Sequence, residues 1–295
     1  MNQPDPILLC LEGRISAEVA IARLLLGGAG AEAILRRIQD APARNERWGG
    51  LAAAGGDLHR LMRLRAMIDR LTPDHASATT PAAIAALFDA AVGTSPEASV
   101  ALYSLGDPAI LNAATGEILT WLDRHRLIGP RADVLDLGCG IGRMTVALAG
   151  KVRSVLGIDV SDAMVREAEL RCAGLPNVGL AVTTGADLAP WPDDTFDLVL
   201  AVDSFPYLVQ AGVAEQHVAE GRRVLRPGGA LAILNLSYCG DARRDREDAT
   251  VWAIRHGLQL RVCDDHPFRL WDAAAYILVA DETDSSCLSS THKPV

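Results

Sequence analysis

The sequence predicts an α/β protein, in which a mostly parallel sheet with helices on both faces follows an all-helical N-terminal domain. After Pro130, short runs rich in β-branched residues alternate with helical segments, which is typical of βαβ units. Before residue 115, apolar residues recur at helical spacing and strand patterns are missing. We therefore expect a helical domain over residues 1–115, a sheet domain over 116–282 and a flexible tail over 283–295.

Helix-start signals mark the N-terminal domain. Ser16 precedes an amphipathic stretch and is a candidate N-cap. Thr80 followed by Pro81 is the pattern of a capping residue with proline at the first helical position. Asp107 and Pro108 repeat that pattern, so a further helix is expected to begin there.

Seven runs can supply the strands of the sheet. The five that alternate with helices are expected to be parallel, and two more close the sheet. In order they are ADVLDL, SVLGIDV, VGLAVTT, FDLVLAV, ALAILNL, LQLRVCDD and AAAYILVA. Ligands of such sheets bind outside the carboxyl ends of the strands, so the residues that follow each strand are the candidates for function.

Composition excludes several classes of function. The 295 residues are 49% hydrophobic, yet no stretch reaches the roughly 20 apolar residues of a membrane span. A net charge of −9 argues against a nucleic-acid partner. The six cysteines are scattered, with no metal-ligand spacing, which indicates reduced thiols, no metal site and a cytoplasmic location. These observations favour a protein that acts on a small molecule. The sequence leaves open whether the protein forms a homodimer.

Three glycines in five positions mark the first strand-to-helix turn. The stretch VLDLGCGIGR places Gly138, Gly140 and Gly142 directly after an apolar run. They either make a tight turn or let a ligand lie against bare backbone. Asp136 would repel a pyrophosphate but suits an ammonium group. Because position 143 is Arg143, the dinucleotide fingerprint lacks its third glycine.

A second acid ends the next strand. Asp159 closes SVLGID, 23 positions after Asp136. In nucleoside sites a carboxylate at this place accepts hydrogen bonds from both ribose hydroxyls. The glycine turn, the acid before it and the strand-ending acid together predict a nucleoside ligand.

Residues from about 130 to 280 resemble the class I S-adenosylmethionine-dependent methyltransferases. VLDLGCGIGR resembles the first motif of that family, VLGIDVS the acidic second motif, PWPDDTFDLVLAV the segment that leads into the fourth strand, and RRVLRPGGALAIL the turn before the fifth. The four stretches occur in the order and spacing of the family. The resemblance implies a seven-stranded Rossmann-like sheet, S-adenosylmethionine as the cofactor and methyl transfer as the activity.

The resemblance also implies the cofactor contacts. Asp136 and the glycines would line the methionine end, Asp159 would bind the ribose hydroxyls, and Val160 and Met164 would border the adenine. The expected cofactor residues are Tyr103, Asp136, Gly138, Cys139, Gly140, Gly142, Asp159, Val160, Met164, Ala186, Asp187, Leu188 and Val202.

One departure from the family concerns the adenine amino group. Many members bind it with an Asp, but Gly185 stands at that place in TTGADLAPW. Asp187, Thr184 or the amide of Ala186 can make the contact instead.

Asp203 and Tyr207 are the candidate catalytic residues. Asp203 ends the fourth strand, where the acceptor should lie beside the sulfonium. Its carboxylate can act as a general base, bind a cationic substrate, hold the methionine amino group or serve a structural role. Tyr207 can offer its ring face to the methyl group or its hydroxyl to the acceptor, or it can belong to the core.

Two flanking segments supply the remaining candidates. Tyr103 precedes the sheet and is either a lid contact or a hinge-packing residue. Asn235, Ser237 and Tyr238 follow the fifth strand and are candidate substrate contacts. His217 is expected to be packed or solvated on its helix, without a role in the site.

Three functions remain open from the sequence. The leading one is a methyltransferase for a small molecule, with the helical N-terminal domain capping the pocket. The second is an enzyme such as the azetidine-2-carboxylate synthases, which resemble this family but cyclise the aminobutyryl chain of the cofactor and release methylthioadenosine. The third is a non-catalytic sensor or partner subunit. Cofactor motifs do not separate the first two, because both enzymes bind the same molecule.

Overall fold

The N-terminal half is built of helices that begin at local capping signals. The computed structural model describes residues 5–42, 46–75 and 78–281. The helices before the sheet are α1 (Pro6–Leu11), α2 (Ala17–Leu26), α3 (Ala31–Gln39), α4 (Glu46–Gly55), α5 (Leu58–His75), α6 (Pro81–Val92), α7 (Pro96–Val100), a 3-10 turn (Leu102–Ser104) and α8 (Pro108–Arg124). Within these described ranges no helix is both long and apolar enough to cross a bilayer.

The predicted helix starts at Ser16, Thr80 and Asp107 are confirmed. The Ser16 hydroxyl accepts a hydrogen bond from the Val19 amide at 3.2 Å, and Asp107 accepts one from the amide of Ala109 at 2.8 Å. The Thr80 hydroxyl likewise caps α6. Each bond satisfies an amide that the first helical turn leaves without a partner.

The sheet has the predicted seven strands. They are β1 (Asp133–Leu137), β2 (Ser154–Asp159), β3 (Val178–Val182), β4 (Phe196–Val202), β5 (Leu225–Leu234), β6 (Leu258–Asp265) and β7 (Ala275–Ala280), in the spatial order 3-2-1-4-5-7-6. Strands β1 to β5 are parallel, whereas β7 runs antiparallel to β5 and β6. The prediction of a mostly parallel Rossmann-like sheet is therefore confirmed.

Helices cover both faces of the sheet. Between and after the strands run α9 (Arg143–Ala149), α10 (Asp162–Arg171), α11 (Phe205–Gln210), α12 (Ala214–Val224) and α13 (Ala242–Arg255). Alternate residues of each strand point to opposite faces. Val134 belongs to the apolar core that contains Ile21 of α2 and Ile118 of α8, while Leu135 belongs to the core that contains Val218 of α12. The N-terminal helices thus share a core with one face of the sheet, and α8 spans the expected domain division at residue 115.

Polar contacts hold the N-terminal helices over the carboxyl edge of the sheet. Asp89 of α6 accepts hydrogen bonds from the Ser161 hydroxyl at 2.6 Å and from the Ala163 amide at 3.1 Å, at the start of α10. Glu97 of α7 pairs with Arg171 of α10 at 2.9 Å. The Asp89 bonds place α6 at the start of α10, and the Glu97 pair holds α7 against the end of the same helix.

Candidate active site

A cavity of about 1030 Å³ lies between the carboxyl edge of the sheet and the N-terminal helices. The sheet contributes the residues that follow β1, β2, β4 and β5, and the helices contribute apolar side chains. The structure brings most of the predicted site residues into this one wall: Tyr103, Gly138, Gly140, Asp159, Val160, Met164, Asp187, Leu188, Val202, Asp203, Tyr207, Asn235, Ser237 and Tyr238.

Four predicted cofactor residues lie outside the cavity wall. Asp136 is 1% exposed, behind the glycine turn, and accepts a hydrogen bond from the Thr145 hydroxyl at 2.6 Å. Its burial raises the pKa of the carboxyl to about 6. Cys139 is buried beside it, and the Cα of Gly142 faces α10, where a Cβ would lie 3.0 Å from that of Ala168. Ala186, the fourth, is exposed.

The glycine turn is tight, and its backbone also faces the cavity. Gly138 and Gly140 have positive φ values of 74° and 53°, which favour glycine. A Cβ on Gly138 would lie 2.3 Å from the Cβ of Ser204, and one on Gly140 would lie 2.7 Å from a methyl of Val100. Both glycines also line the cavity. The turn is therefore tight and at the same time presents backbone to the cavity.

Asp159 stands in the cavity wall with one hydrogen bond on each carboxyl oxygen. Its Oδ2 accepts from the Gly140 amide at 2.9 Å, and its Oδ1 accepts from the Ser161 amide at 2.9 Å. The side chain is almost fully buried, and this burial raises the pKa of the carboxyl. Each carboxylate oxygen has two lone pairs, so one acceptor position per oxygen remains. These two acceptor positions fit a ligand with two neighbouring hydroxyls.

The three candidate partners of the adenine amino group differ in whether they face the cavity. The Ala186 amide donates to the Thr184 hydroxyl at 3.3 Å, so these two candidates bond to each other. Asp187 lies in the cavity wall, with its Oδ1 accepting from the Ala189 amide at 3.1 Å. Of the three, Asp187 is the one that faces the cavity.

Asp203 is held by two side chains that follow β5. Its Oδ1 accepts from the Asn235 amide group at 2.8 Å and from the Tyr238 hydroxyl at 2.9 Å. Asp203 has a φ of 59°, and such strained non-glycine backbone is concentrated at functional sites. Burial raises the pKa of the carboxyl to about 6. A group with that pKa can exchange a proton near neutral pH.

Tyr238, which binds this carboxyl, belongs to a cluster of packed aromatic rings. The ring of Tyr207 packs edge-on against Phe88 of α6, with ring centroids 5.0 Å apart, and against Tyr238, with centroids 5.6 Å apart. Burial raises the pKa of the Tyr207 hydroxyl, which therefore stays protonated at neutral pH. The structure places Tyr207 both in the cavity wall and against the packed helix α6.

Tyr103 lies in the cavity wall and is also packed against its neighbours. It lines the cavity, and its hydroxyl accepts a hydrogen bond from Arg143 at 3.0 Å. Its ring also stacks on Trp271, with centroids 5.7 Å apart and an interplanar angle of 24°. The segment before the sheet is thus fastened to the glycine turn on one side and to the connection between β6 and β7 on the other.

Sequence reasoning missed several residues of the wall. The Nε of Arg23 in α2 donates a hydrogen bond to Asp272 at 2.9 Å, although the two residues are 249 positions apart in the chain. No sequence motif predicts this pair. Trp271 stands in the stretch PFRLWD, outside the four stretches that resemble the family motifs. His217 lines the cavity, where it is buried with its Nδ1 at 3.0 Å from the Val213 carbonyl oxygen. Burial lowers the pKa of this histidine. His217 is therefore packed on its helix, which is one of the two expectations from the sequence. Its position in the cavity wall was not predicted.

Comparison with known proteins identifies the domain that carries the glycine turn. Residues 134–229 match the family model described as a methyltransferase domain. The demethylmenaquinone methyltransferase of Tropheryma whipplei (strain Twist) is 36% identical over 106 residues, which cover 36% of this chain and 42% of that protein. Sterol methyltransferase-like 2 of Botryococcus braunii is 28% identical over 241 residues, which cover 76% of this chain and 60% of that protein. The chain therefore spans about half the length of the curated relatives it matches.

The fold also has a solved counterpart. Phosphoethanolamine N-methyltransferase 1 of Haemonchus contortus, in complex with phosphoethanolamine and S-adenosylhomocysteine, superimposes with a TM-score of 0.50 at 15% identity. The match covers 79% of this chain and 51% of that chain, and at this identity it shows the fold alone. The strand order and the matched domain agree with the motifs of the sequence. Residues 134–229 therefore form a class I S-adenosylmethionine-dependent methyltransferase domain, a family whose cofactor is S-adenosylmethionine.

Proposed function

We propose that this protein transfers a methyl group from S-adenosylmethionine to a small-molecule acceptor. The observation that carries the proposal is one cavity that Asp159 and Asp203 share, on neighbouring parts of the same sheet edge. Ligand pockets measure about 300–1,000 Å³. A volume of about 1030 Å³ lies just above that range, so there is room for a cofactor and an acceptor together.

The residues at the glycine turn are proposed to hold the cofactor. Asp159 accepts hydrogen bonds from both ribose hydroxyls, and the backbone of Gly138 and Gly140 lies against the ligand. Val160 and Met164 border the adenine, since both are apolar residues of the wall next to Asp159.

The remaining cofactor residues complete this site from the wall and from behind it. Leu188 and Asp187 extend the adenine end, while Tyr103 and Val202 lie at the methionine end. The residues outside the wall (Asp136, Cys139, Gly142 and Ala186) would act by supporting the turn and the adenine loop.

The chain's own contribution to the reaction is alignment, exclusion of water and removal of a proton. When bound, the cofactor supplies a methyl group on a sulfonium, which a nucleophile takes by in-line displacement. Asn235 and Tyr238 both bind Oδ1 of Asp203, so that Oδ2 is left without a partner among the described residues. This oxygen accepts the acceptor's proton in our proposal, while the two donors fix the orientation of the carboxyl. Ser237, in the same wall, is a further substrate contact.

The alternative of a cyclase is less well supported by the volume of the cavity. Cyclisation of the cofactor's own side chain needs one ligand in the cavity, whereas methyl transfer needs two. The space beyond the cofactor residues, lined by α2, α5 and α6, favours a second ligand. A non-catalytic subunit would have no need of a carboxyl poised to exchange a proton.

Mass spectrometry separates these functions. The purified protein is incubated with S-adenosylmethionine, first alone and then with an extract of the source organism. S-adenosylhomocysteine formed only with extract, together with a newly methylated compound, is the expected result. Methylthioadenosine formed without extract, above the spontaneous background, would establish the cyclase or lyase instead. Neither product, with cofactor binding intact, would favour a binding subunit. The cytoplasmic location stays a prediction from the sequence, and the sequence leaves the homodimer open.

A further inference from the structure

The chemical class of the acceptor can be inferred from the wall opposite the sheet. We infer that the acceptor is an uncharged, largely apolar molecule that enters beside the carboxyl end of α2. This inference rests on the proposed function, because it concerns the second ligand of the same cavity.

The N-terminal side of the cavity is apolar. Val19, Ala22 and Leu26 of α2, Met67 of α5 and Phe88 of α6 all line it. A polar group transferred from water to such a surface loses hydrogen bonds that the surface cannot replace. An apolar molecule instead gains free energy in proportion to the area it buries.

The charges of the wall disfavour an ionised acceptor. Among the described residues that line the cavity, Arg23 is the one lysine or arginine, and it is paired with Asp272. An anionic acceptor would therefore meet no unpaired lysine or arginine among the described residues of the wall. Asp159 and Asp187 lie at the cofactor end and Asp272 is paired with Arg23, which leaves Asp203 as the counter-charge for a cation among the described residues of the wall. Asp203 already accepts hydrogen bonds from Asn235 and Tyr238 and takes up the acceptor's proton in the proposed reaction, so it does not serve as a lasting counter-charge for a cation.

Leu26 locates the mouth of the cavity. It is the last residue of α2, and it lines the cavity although 64% of its surface is exposed. Arg23 lies one turn earlier on the same helix, and its partner Asp272 faces it from the connection between β6 and β7. A substitution at Leu26 therefore changes the entrance without touching Asp159 or Asp203.

Two fluorescent probes with the same ring skeleton test the class of ligand. N-phenyl-1-naphthylamine is neutral, and 8-anilino-1-naphthalenesulfonate carries one added sulfonate. Each is titrated into the protein saturated with S-adenosylhomocysteine. We expect the neutral probe to bind with one site per chain and about tenfold more tightly than the anion, a difference of about 1.4 kcal/mol. Equal or tighter binding of the anion would overturn the inference.

A pair of matched variants tests the location. Leu26→Asp adds a charge at the mouth, and Leu170→Asp adds one near the carboxyl end of α10, at a residue that is 75% exposed. We expect Leu26→Asp to weaken the neutral probe about tenfold, with unchanged affinity for S-adenosylhomocysteine, and Leu170→Asp to leave both unchanged. Probe binding that is insensitive to Leu26→Asp would contradict the proposed entrance.

A separate measurement tests the proposed function independently of the acceptor class. Calorimetry with S-adenosylhomocysteine, done before the probe titrations, reports on the cofactor site. If the protein does not bind S-adenosylhomocysteine, the proposed function fails, and the preference between the two probes is then measured on the unloaded protein. An anion preference with normal cofactor binding would refute the acceptor class alone.

Discussion

Asp203 and Asn235 join the carboxyl ends of β4 and β5 by a side-chain hydrogen bond of 2.8 Å, and both residues have left-handed backbone, with φ values of 59° and 73°. The Asp203 amide also donates to the carbonyl of Leu234 at 2.9 Å. Non-glycine residues in this region of φ cost about 1–3 kcal/mol each and persist where the surroundings over-determine them. The pair therefore fixes a carboxyl in the cavity at some expense of backbone strain.

Removing the charge of Asp203 should slow turnover without loss of cofactor binding. For Asp203→Asn we expect kcat to fall by about 10²–10⁴-fold, the usual contribution of a general base. The dissociation constant of S-adenosylhomocysteine, measured by calorimetry, should stay close to that of the wild type. Asp193→Asn is the control, because Asp193 precedes β4 at the opposite edge of the sheet and is 71% exposed. Turnover that survives in Asp203→Asn would make this carboxyl structural.

The pH dependence of kcat/KM is a second test of the role of Asp203. A base with a pKa of about 6 is active when deprotonated, so kcat/KM should rise with pH up to about 6 and then level off. Asp203→Asn should lose that rising limb. A limb that persists unchanged in the variant would assign the titration to another group.

The ribose contact predicts a loss of affinity. Asp159→Ala removes two charge-assisted hydrogen bonds, worth on the order of 2–3 kcal/mol together. This corresponds to a dissociation constant for S-adenosylhomocysteine that is about 30- to 140-fold higher. Because the Gly140 and Ser161 amides also lose their acceptor, thermal unfolding of the variant is recorded in parallel. An unchanged dissociation constant in a folded variant would refute the ribose assignment.

The buried carboxyl of Asp136 should make stability depend on pH. Burial raises its pKa from an ordinary value of 3.8 to about 6 in the folded protein. The protonated form is favoured in the folded state, so this contribution is present below about pH 4 and is lost as the pH rises through 6. Since one pKa unit is worth about 1.4 kcal/mol, Asp136→Asn should gain about 2–3 kcal/mol relative to wild type between these limits.

Urea unfolding at pH 4 and at pH 7.5 measures this difference. Asp193→Asn controls for the loss of an exposed carboxylate. Parallel stability curves for wild type and Asp136→Asn would show that the buried carboxyl does not titrate in this range.

The close approach of Gly140 to Val100 predicts an energetic coupling between the glycine turn and α7. A methyl group at this position requires φ near 53° and lies 2.7 Å from Val100. Gly140→Ala should therefore lower the free energy of unfolding by about 1–2 kcal/mol from the backbone alone, with a further loss from the clash. Val100→Ala in the same chain should recover the part due to the clash. A double-mutant cycle measures that coupling, and strictly additive effects would show that α7 does not press on the turn.

The features that the sequence predicted depend on near neighbours in the chain. The capping residue Thr80, the glycines of the first turn and Asp159 at the end of β2 are recognisable from a few adjacent residues. The parallel sheet follows from the alternation of strand and helix patterns, because each pattern reflects its own period of burial. The cluster at the carboxyl edge then follows from parallel strands, which all end on the same side.

The tertiary structure decided the wall opposite the sheet and the accessibility of each group. Arg23 meets Asp272 across 249 positions, and Trp271 stacks on Tyr103, because the N-terminal segments and the connection between β6 and β7 pack together although they are far apart in the chain. Asp136 is buried behind the turn although its spacing resembles that of a ligand contact. Contacts between distant segments, and the burial that sets the pKa of each carboxyl, arise only from three-dimensional packing, which the local pattern of residues does not contain.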